Sequence, residues 1–455
     1  MPRSGLNFGT GGSLPPAIVR DPHPGILRQV LHGLYDLLWL LAAVVGAPWL
    51  LWRSRTRPGF GAIVLDRLGR GVGALPPRGA RPRVMVHGVS VGEVKGALPI
   101  VRELERQRPD LEVVISTSTE TGREVARGVF PDHLVVNFPV DLTWVVRRFL
   151  LRLDPAAVVL VELEIWPNFL RQANRYGIPV AVVNGRITAA SFRSYNWFKG
   201  LLPQFNRISL FCAQGPDYSW RFLRLHVDPK RVIETGNVKA DGLAIGRVAS
   251  GEELRRLLGP APGQRVLVAG STHSDEELLV ATAMAKHLPD WRLILVPRHP
   301  KRTAEVVGSL TAAGIRPQRL SALRAGEVPD PSRVALVDTI GELEAVFGLG
   351  DLAFVGGSLV PHGGQNMLEP AAQGIAVITG PYVDNFTQEA RILAEAGALE
   401  LLAKPSDLGA ALERLGNDEE LRERMGAAGM RATRSQQGAA QKTVEALQAT
   451  CLPAF

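Results

Sequence analysis

Apolar positions along the chain follow two patterns. Residues 37–52 form an apolar stretch without a charge, whereas downstream of residue 83 short apolar runs alternate with amphipathic stretches of helical length. The runs at 84–86, 113–116, 135–138, 158–161, 180–184 and 210–213 read as one series of strands. Those at 266–269, 293–296, 334–337, 352–355 and 377–378 read as a second. Strands separated by helices make βαβ units and parallel sheets. Eleven strands are too many for one doubly wound sheet, and a break at Thr235-Gly236-Asn237 follows the first series. The pattern predicts an α/β chain with two Rossmann-like domains.

The apolar stretch would extend about 24 Å as a helix, short of the roughly 30 Å hydrocarbon core of a bilayer. Upstream, Arg28, His32, Tyr35, Asp36 and Trp39 share one helical stripe, and Pro48 is expected to kink the apolar half. This predicts an anchor that lies in the interface or half enters the bilayer; a short span and a buried core helix are the alternatives. More than thirty residues precede the stretch and no small-residue cleavage site follows, unlike a signal peptide. Residues 1–25, rich in Gly and Pro, read as a mobile head.

Composition narrows the classes. With 46% hydrophobic and 21% charged residues among 455, a largely disordered chain is excluded. Cys212 and Cys451 are the only cysteines, so a disulfide framework and a Cys-built metal site are excluded, and a reducing compartment fits. The net charge is +8, and the window 53–83 holds eight Arg against one acid, Asp66. Such a window next to an apolar segment reads as a membrane-surface signature; without interleaved aromatics it does not read as a nucleic-acid patch. No GxGxxG after a strand, P-loop, HExxH or G-x-S-x-G occurs, which disfavours hydride transfer, P-loop chemistry and metalloprotease chemistry. No cofactor or metal is called for.

Ligands of doubly wound folds bind where strands end and helices begin, and these junctions carry the candidate chemistry. The first strand enters His87-Gly-Val-Ser90-Val-Gly92-Glu93. Ser90 and Glu93 have capping-box spacing, and Glu93 at a helix N-terminus is equally placed to act as a general base. The fourth strand ends in Glu162-Leu-Glu164-Ile-Trp-Pro-Asn, whose two carboxylates share a face and would raise one pKa; the alternative is a solvated strand end. Arg186, at another strand end, offers a cation or is a surface residue. In the second series, Ser271 lies in Gly-Ser-Thr-His, an anion site with free N–H groups or an ordinary cap. Pro297-Arg298-His299-Pro300 is a rigid frame suited to phosphate. The glycine-rich stretch 356–370 leads to Asn366 and Glu369, and a carboxylate there suits the vicinal hydroxyls of a ribose.

Taken together, these residues resemble the Kdo transferases, which move 3-deoxy-D-manno-octulosonic acid (Kdo) from CMP-Kdo to a lipid A precursor. The resemblance rests on HGVSVGE (87–93), STSTETG (116–122), ELEIWPN (162–168), NGRIT (184–188) and TGNVKAD (235–241). It continues through GSTH (270–273), PRHP (297–300), DTIGEL (338–343), FVGGSLVPHGGQNMLEP (354–370) and GPYVDNF (380–386). It implies a GT-B architecture, two Rossmann-like domains facing a cleft, and metal-independent inverting transfer in lipopolysaccharide core biosynthesis. The implied organisation is an anchor helix at 26–57, an acceptor domain at 58–235, a nucleotide-sugar domain at 236–415 and returning C-terminal helices at 416–455. By the resemblance Glu93 is the base for the lipid A 6′-hydroxyl, Arg298 holds the CMP phosphate, Gly341 and its neighbours lie on the cytosine side, and Asn366 and Glu369 hold the ribose; Ser271, Pro297 and His299 are further donor-binding residues. Ser90, Gly92, Glu164 and Arg186 fall in the acceptor or sugar region. The expected partners are CMP-Kdo, the lipid A precursor and the inner-membrane surface at its cytoplasmic face. In the family pattern a basic residue is more usual at His362, His at Gln365, Pro at Met367 and Ala at Gly88.

A GT-B transferase with another nucleotide sugar or lipid acceptor, a soluble sugar-nucleotide epimerase, and a non-catalytic membrane-surface binding protein are the alternative readings.

Overall fold

The two series of apolar runs fold into two separate parallel sheets. In the computed structural model, residues 26–57, 60–69, 79–198 and 204–454 are described; the head at 1–25, together with Arg70 and Arg78, lies outside them. The first sheet comprises β1 (Arg83–His87), β2 (Glu112–Thr117), β3 (Leu134–Asn137), β4 (Pro155–Val161), β5 (Val180–Gly185), β6 (Leu210–Ala213) and β7 (Val232–Glu234). The second comprises β8 (Val266–Thr272), β9 (Arg292–Pro297), β10 (Gln318–Arg319), β11 (Ala335–Leu336), β12 (Leu352–Val355), β13 (Ala376–Thr379) and β14 (Leu399–Leu401). Both faces of each sheet are covered. Val84 and Val86 enter one core and Met85 the opposite one, while Leu267 and Val268 divide likewise between two cores in the second sheet. Strands buried on both sides must be apolar throughout rather than alternating, which is why these runs stand out in the sequence.

The strand orders are β3-β2-β1-β4-β5-β6-β7 and β10-β11-β9-β8-β12-β13-β14. The order turns between β1 and β4 in the first sheet and between β8 and β12 in the second, and both of these pairs are parallel. Three strands, β7, β10 and β14, were not among the expected runs, and all three are sheet edges.

The chain divides into two compact units, Met1–Gly242 with Gln437–Phe455, and Leu243–Gln436. Within the C-terminal stretch, the helix Glu419–Ser435 packs on β13 and on the helix Leu368–Ala372 of the second unit. The helix Ala439–Thr450 packs on β6 and on the helix Leu98–Gln107 of the first. Asp241 receives the start of that last helix, accepting the N–H groups of Gly438, at 2.5 Å, and Ala440.

The N-terminal helix, Ile26–Thr56, continues through Pro48 and is long and apolar enough to cross a membrane. From His32 to Trp39 its polar stripe faces the protein. His32 is buried, and Asp36 accepts the N–H and hydroxyl of Thr143 at 3.1 and 2.6 Å and the Asn168 amide at 2.7 Å. The helix Thr143–Leu153 has no side-chain cap of its own, so Asp36 supplies one from outside. On its other side the helix presents Leu38, Leu41, Val44, Val45, Leu51 and Trp52 outward.

The basic window makes a smaller patch than its sequence count implies. Arg83 is buried in a 3.0 Å pair with Glu112, Arg67 donates to the carbonyls of Phe138 and Ser118, and Arg53 lies over the Trp49 and Phe60 rings. Arg55, Arg57 and Arg81 remain exposed.

Candidate active site

The carboxyl ends of β1 and β4, neighbours at the turn of the first sheet, hold three carboxylates. Ser90 caps the helix Val91–Gly96: its Oγ accepts the Glu93 N–H at 3.3 Å and donates to Glu93 Oε1 at 2.9 Å. The Val89 N–H, one residue before the cap, donates to Glu93 Oε2 at 2.7 Å, so the carboxylate folds back over the cap as in a capping box. Burial nonetheless pushes the Glu93 carboxyl above the usual carboxylate range, because the cap bonds offset only part of the lost hydration. Gly92 is exposed in the first turn of the same helix.

Beyond β4 the chain turns through Glu162 in a left-handed conformation, φ 65°. This places Glu162 between two cations, Arg186 at 3.3 Å and Lys239 at 3.2 Å. Glu164 is pushed up to about 7, first by burial and then by the charge of Glu93. Glu93, Glu162, Glu164, Arg186 and Tyr195 line one recess of about 120 Å³. Two acids whose burial raises their proton affinity, beside a third neutralised by cations, form an arrangement suited to moving a proton.

Lys239 was not singled out as a site residue by the sequence analysis. It belongs to a segment held by Asn184, whose Oδ1 accepts the Val238 N–H at 3.2 Å, and so reaches the recess from beyond β7. His87, at the head of the first motif, does not join the recess. It is fully buried, stacks on Phe138 at 4.0 Å between centroids, and is pushed down to about 3 by burial.

In the second unit the remaining candidates follow β8, β9, β11 and β12, which are consecutive in the order β11-β9-β8-β12. Ser271 is the penultimate residue of β8, with φ 54°; Pro297 is the buried last residue of β9, and Arg298 and His299 follow it exposed. Gly341, with φ 91° and open space around it, follows β11. Asn366 and Glu369, beyond β12, are brought together: the Asn366 amide donates to Glu369 Oε1 at 3.0 Å.

One N–H of the segment after β8 and three of the glycine-rich loop are engaged by a side chain. Glu276, fully buried, accepts the N–H of His273 at 2.8 Å, Gly357 at 2.6 Å, Ser358 at 2.9 Å and Leu359 at 2.8 Å. The glycines there answer to packing: a Cβ on Gly356 would lie 2.5 Å from Thr272 Cα. The segment after β13 completes the frame, with Asn385 Nδ2 donating to the His362 carbonyl at 3.0 Å.

Comparison with known proteins places the sequence in a family. Residues 65–242 match the family model described as 3-deoxy-D-manno-octulosonic-acid transferase (kdotransferase). The 3-deoxy-D-manno-octulosonic acid transferase of Haemophilus influenzae is 34% identical, over 82% of this chain and 87% of that protein. That of Bordetella pertussis is 32% identical, over 93% and 98%. Among solved structures, MurG of Acinetobacter baumannii (TM-score 0.52, 14% identity, 81% of this chain and 99% of that one) shares the fold. So does UDP-GlcNAc 2-epimerase of Neisseria meningitidis (TM-score 0.55, 14% identity, 80% and 99%). The chain is therefore a GT-B glycosyltransferase and belongs to the 3-deoxy-D-manno-octulosonic acid transferase family.

Proposed function

We propose that this transferase moves Kdo from CMP-Kdo to the 6′-hydroxyl of a lipid A precursor at the cytoplasmic face of the inner membrane, with inversion and without a metal. The observation that carries the reading is the recess at the β1/β4 turn, where Glu93 and Glu164 meet beside a Glu162 already paired with Arg186 and Lys239. Glu93 takes the proton of the acceptor hydroxyl as that oxygen attacks the anomeric carbon. The bond to the CMP phosphate oxygen breaks on the opposite face, which inverts the centre. Negative charge builds on the departing CMP, and Arg298 stabilises it. Ser271, Pro297 and His299 frame the phosphate, Gly341 lies on the cytosine side, and the Asn366–Glu369 pair receives the ribose hydroxyls. Ser90 and Gly92 border the acceptor side. The outward apolar face of the N-terminal helix, with Arg55 and Arg57 at its end, supports an acceptor embedded in an anionic membrane.

One observation favours a second assignment of the base. Both Glu93 oxygens accept hydrogen bonds from the cap, whereas Glu164 titrates near neutrality. In that reading Glu164 receives the proton and Glu93 fixes the loop. Kdo transfer by Glu93→Gln and Glu164→Gln decides: the base variant loses about 100-fold or more in kcat, and the other loses less.

A further inference from the structure

The two loops flanking the turn of the second sheet meet through their imidazoles. His273 follows β8, His362 follows β12, and their rings stack 4.3 Å apart at 25°. His299, after β9, stands edge-on to His273 at 6.0 Å. Gln365 reaches His273 Nε2 at 3.2 Å. In doubly wound sheets the ligand lies outside the carboxyl ends of the strands at the turn in strand order. That turn falls between β8 and β12, so the stacked pair stands at the ligand position.

Glu276 engages the N–H groups of His273, Gly357, Ser358 and Leu359, so an anion arriving there does not find those four free. Side chains beside the turn are the groups that can meet its charge in their place. Arg302 is held by Glu277 and Glu305 at 3.0 and 2.9 Å. Arg298 is exposed and has no ion pair among the described residues. Arg298, with its permanent charge, and the three imidazoles are therefore cationic or protonatable groups beside the turn.

We propose that the His273–His362 pair takes up one proton when the phosphate of a cytidine nucleotide binds, and that the resulting imidazolium carries the phosphate together with Arg298. This rests on the reading of the second unit as the donor site. In the free protein burial, then His362, His299, Arg302 and Arg298, hold His273 down at about 4, because another positive charge is unfavourable there. A phosphate set against the pair reverses that balance. The groups facing the pair are those three cationic or imidazole side chains after β9 and Gln365 in its own loop. Glu276 is directed to the backbone, Glu277 and Glu305 to Arg302, and Asn385 to the His362 carbonyl.

Calorimetric titration of the full chain with CMP near pH 7.5, in buffers of different ionisation enthalpy, reads the proton directly. Wild type takes up close to one proton per CMP, and its affinity falls by up to tenfold per pH unit as pH rises, the limit for one linked proton. His362→Lys supplies a fixed charge: CMP still binds, uptake disappears and the pH dependence flattens. His273→Asn and His362→Asn lose uptake and bind CMP about tenfold more weakly. CMP binding without uptake, or uptake unchanged in His362→Lys and His273→Asn alike, overturns this inference alone. No CMP binding by folded wild type overturns the donor reading as well.

Discussion

The carboxylate of Glu276 accepts the backbone N–H of Gly357 at 2.6 Å, joining the loop after β8 to the loop after β12. The same oxygen accepts the His273 N–H, and the other oxygen accepts Ser358 and Leu359. Glu276→Gln keeps the shape but turns an amide donor toward N–H donors. With two buried donors unpaired it destabilises the fold by roughly 2 kcal/mol or more, seen as a lowered Tm. KM for CMP-Kdo rises while KM for the acceptor stays near wild type; equal changes in both would refute the assignment to the donor loops.

Glu164 carries a stability signature with a definite sign. Its carboxyl titrates at about 7 in the folded protein against an ordinary 4.5, so the folded state holds this proton more tightly than the unfolded one. Its contribution is most favourable at low pH and is lost as pH rises from about 4.5 to about 7. Glu164→Gln cannot ionise, so above neutrality its Tm exceeds that of wild type, and the two converge in acid. Thermal melts across that range check this.

Lys239 neutralises Glu162 at 3.2 Å. Lys239→Met removes a positive charge from the recess, and every carboxyl facing it becomes harder to ionise. The acid limb of the kcat/KM profile moves to higher pH, and kcat/KM near neutrality falls about tenfold or more. An unmoved acid limb would separate Lys239 from the titrating group.

Asp36 caps a helix distant in sequence by accepting the Thr143 N–H and hydroxyl. Asp36→Ala costs about 1–2 kcal/mol, the usual range for a lost helix cap. Hydrogen exchange in Thr143–Leu153 and along the N-terminal helix rises together, whereas exchange confined to either helix would show that they do not depend on each other.

The interior of both sheets was legible because strands buried on both faces leave continuous apolar runs. The edges β7, β10 and β14 were not: Val232–Glu234 is largely exposed and Gln318–Arg319 has no apolar residue, so neither needs such a run. Glu93, Glu162 and Glu164 were legible as acids at strand ends, because that is where a parallel sheet opens. Lys239 was hidden because it reaches the recess through a tertiary bond from Asn184 to Val238, which no local spacing reveals. Glu276 lies in the first turn of the helix Glu276–His287, and nothing local shows that its oxygens meet a loop some eighty residues away. The basic window was read by count, and count does not tell an exposed Arg55 from an Arg83 buried against Glu112.

The central claim is tested most directly by Kdo transfer from CMP-Kdo to a bisphosphorylated lipid A precursor in the presence of a chelator, with wild type and Glu93→Gln side by side. The account predicts product from wild type and a loss of about 100-fold or more from Glu93→Gln at similar Tm. Equal turnover by Glu93→Gln would reduce Glu93 to a helix cap. No product from a folded wild type that binds CMP would contradict the proposed sugar and acceptor.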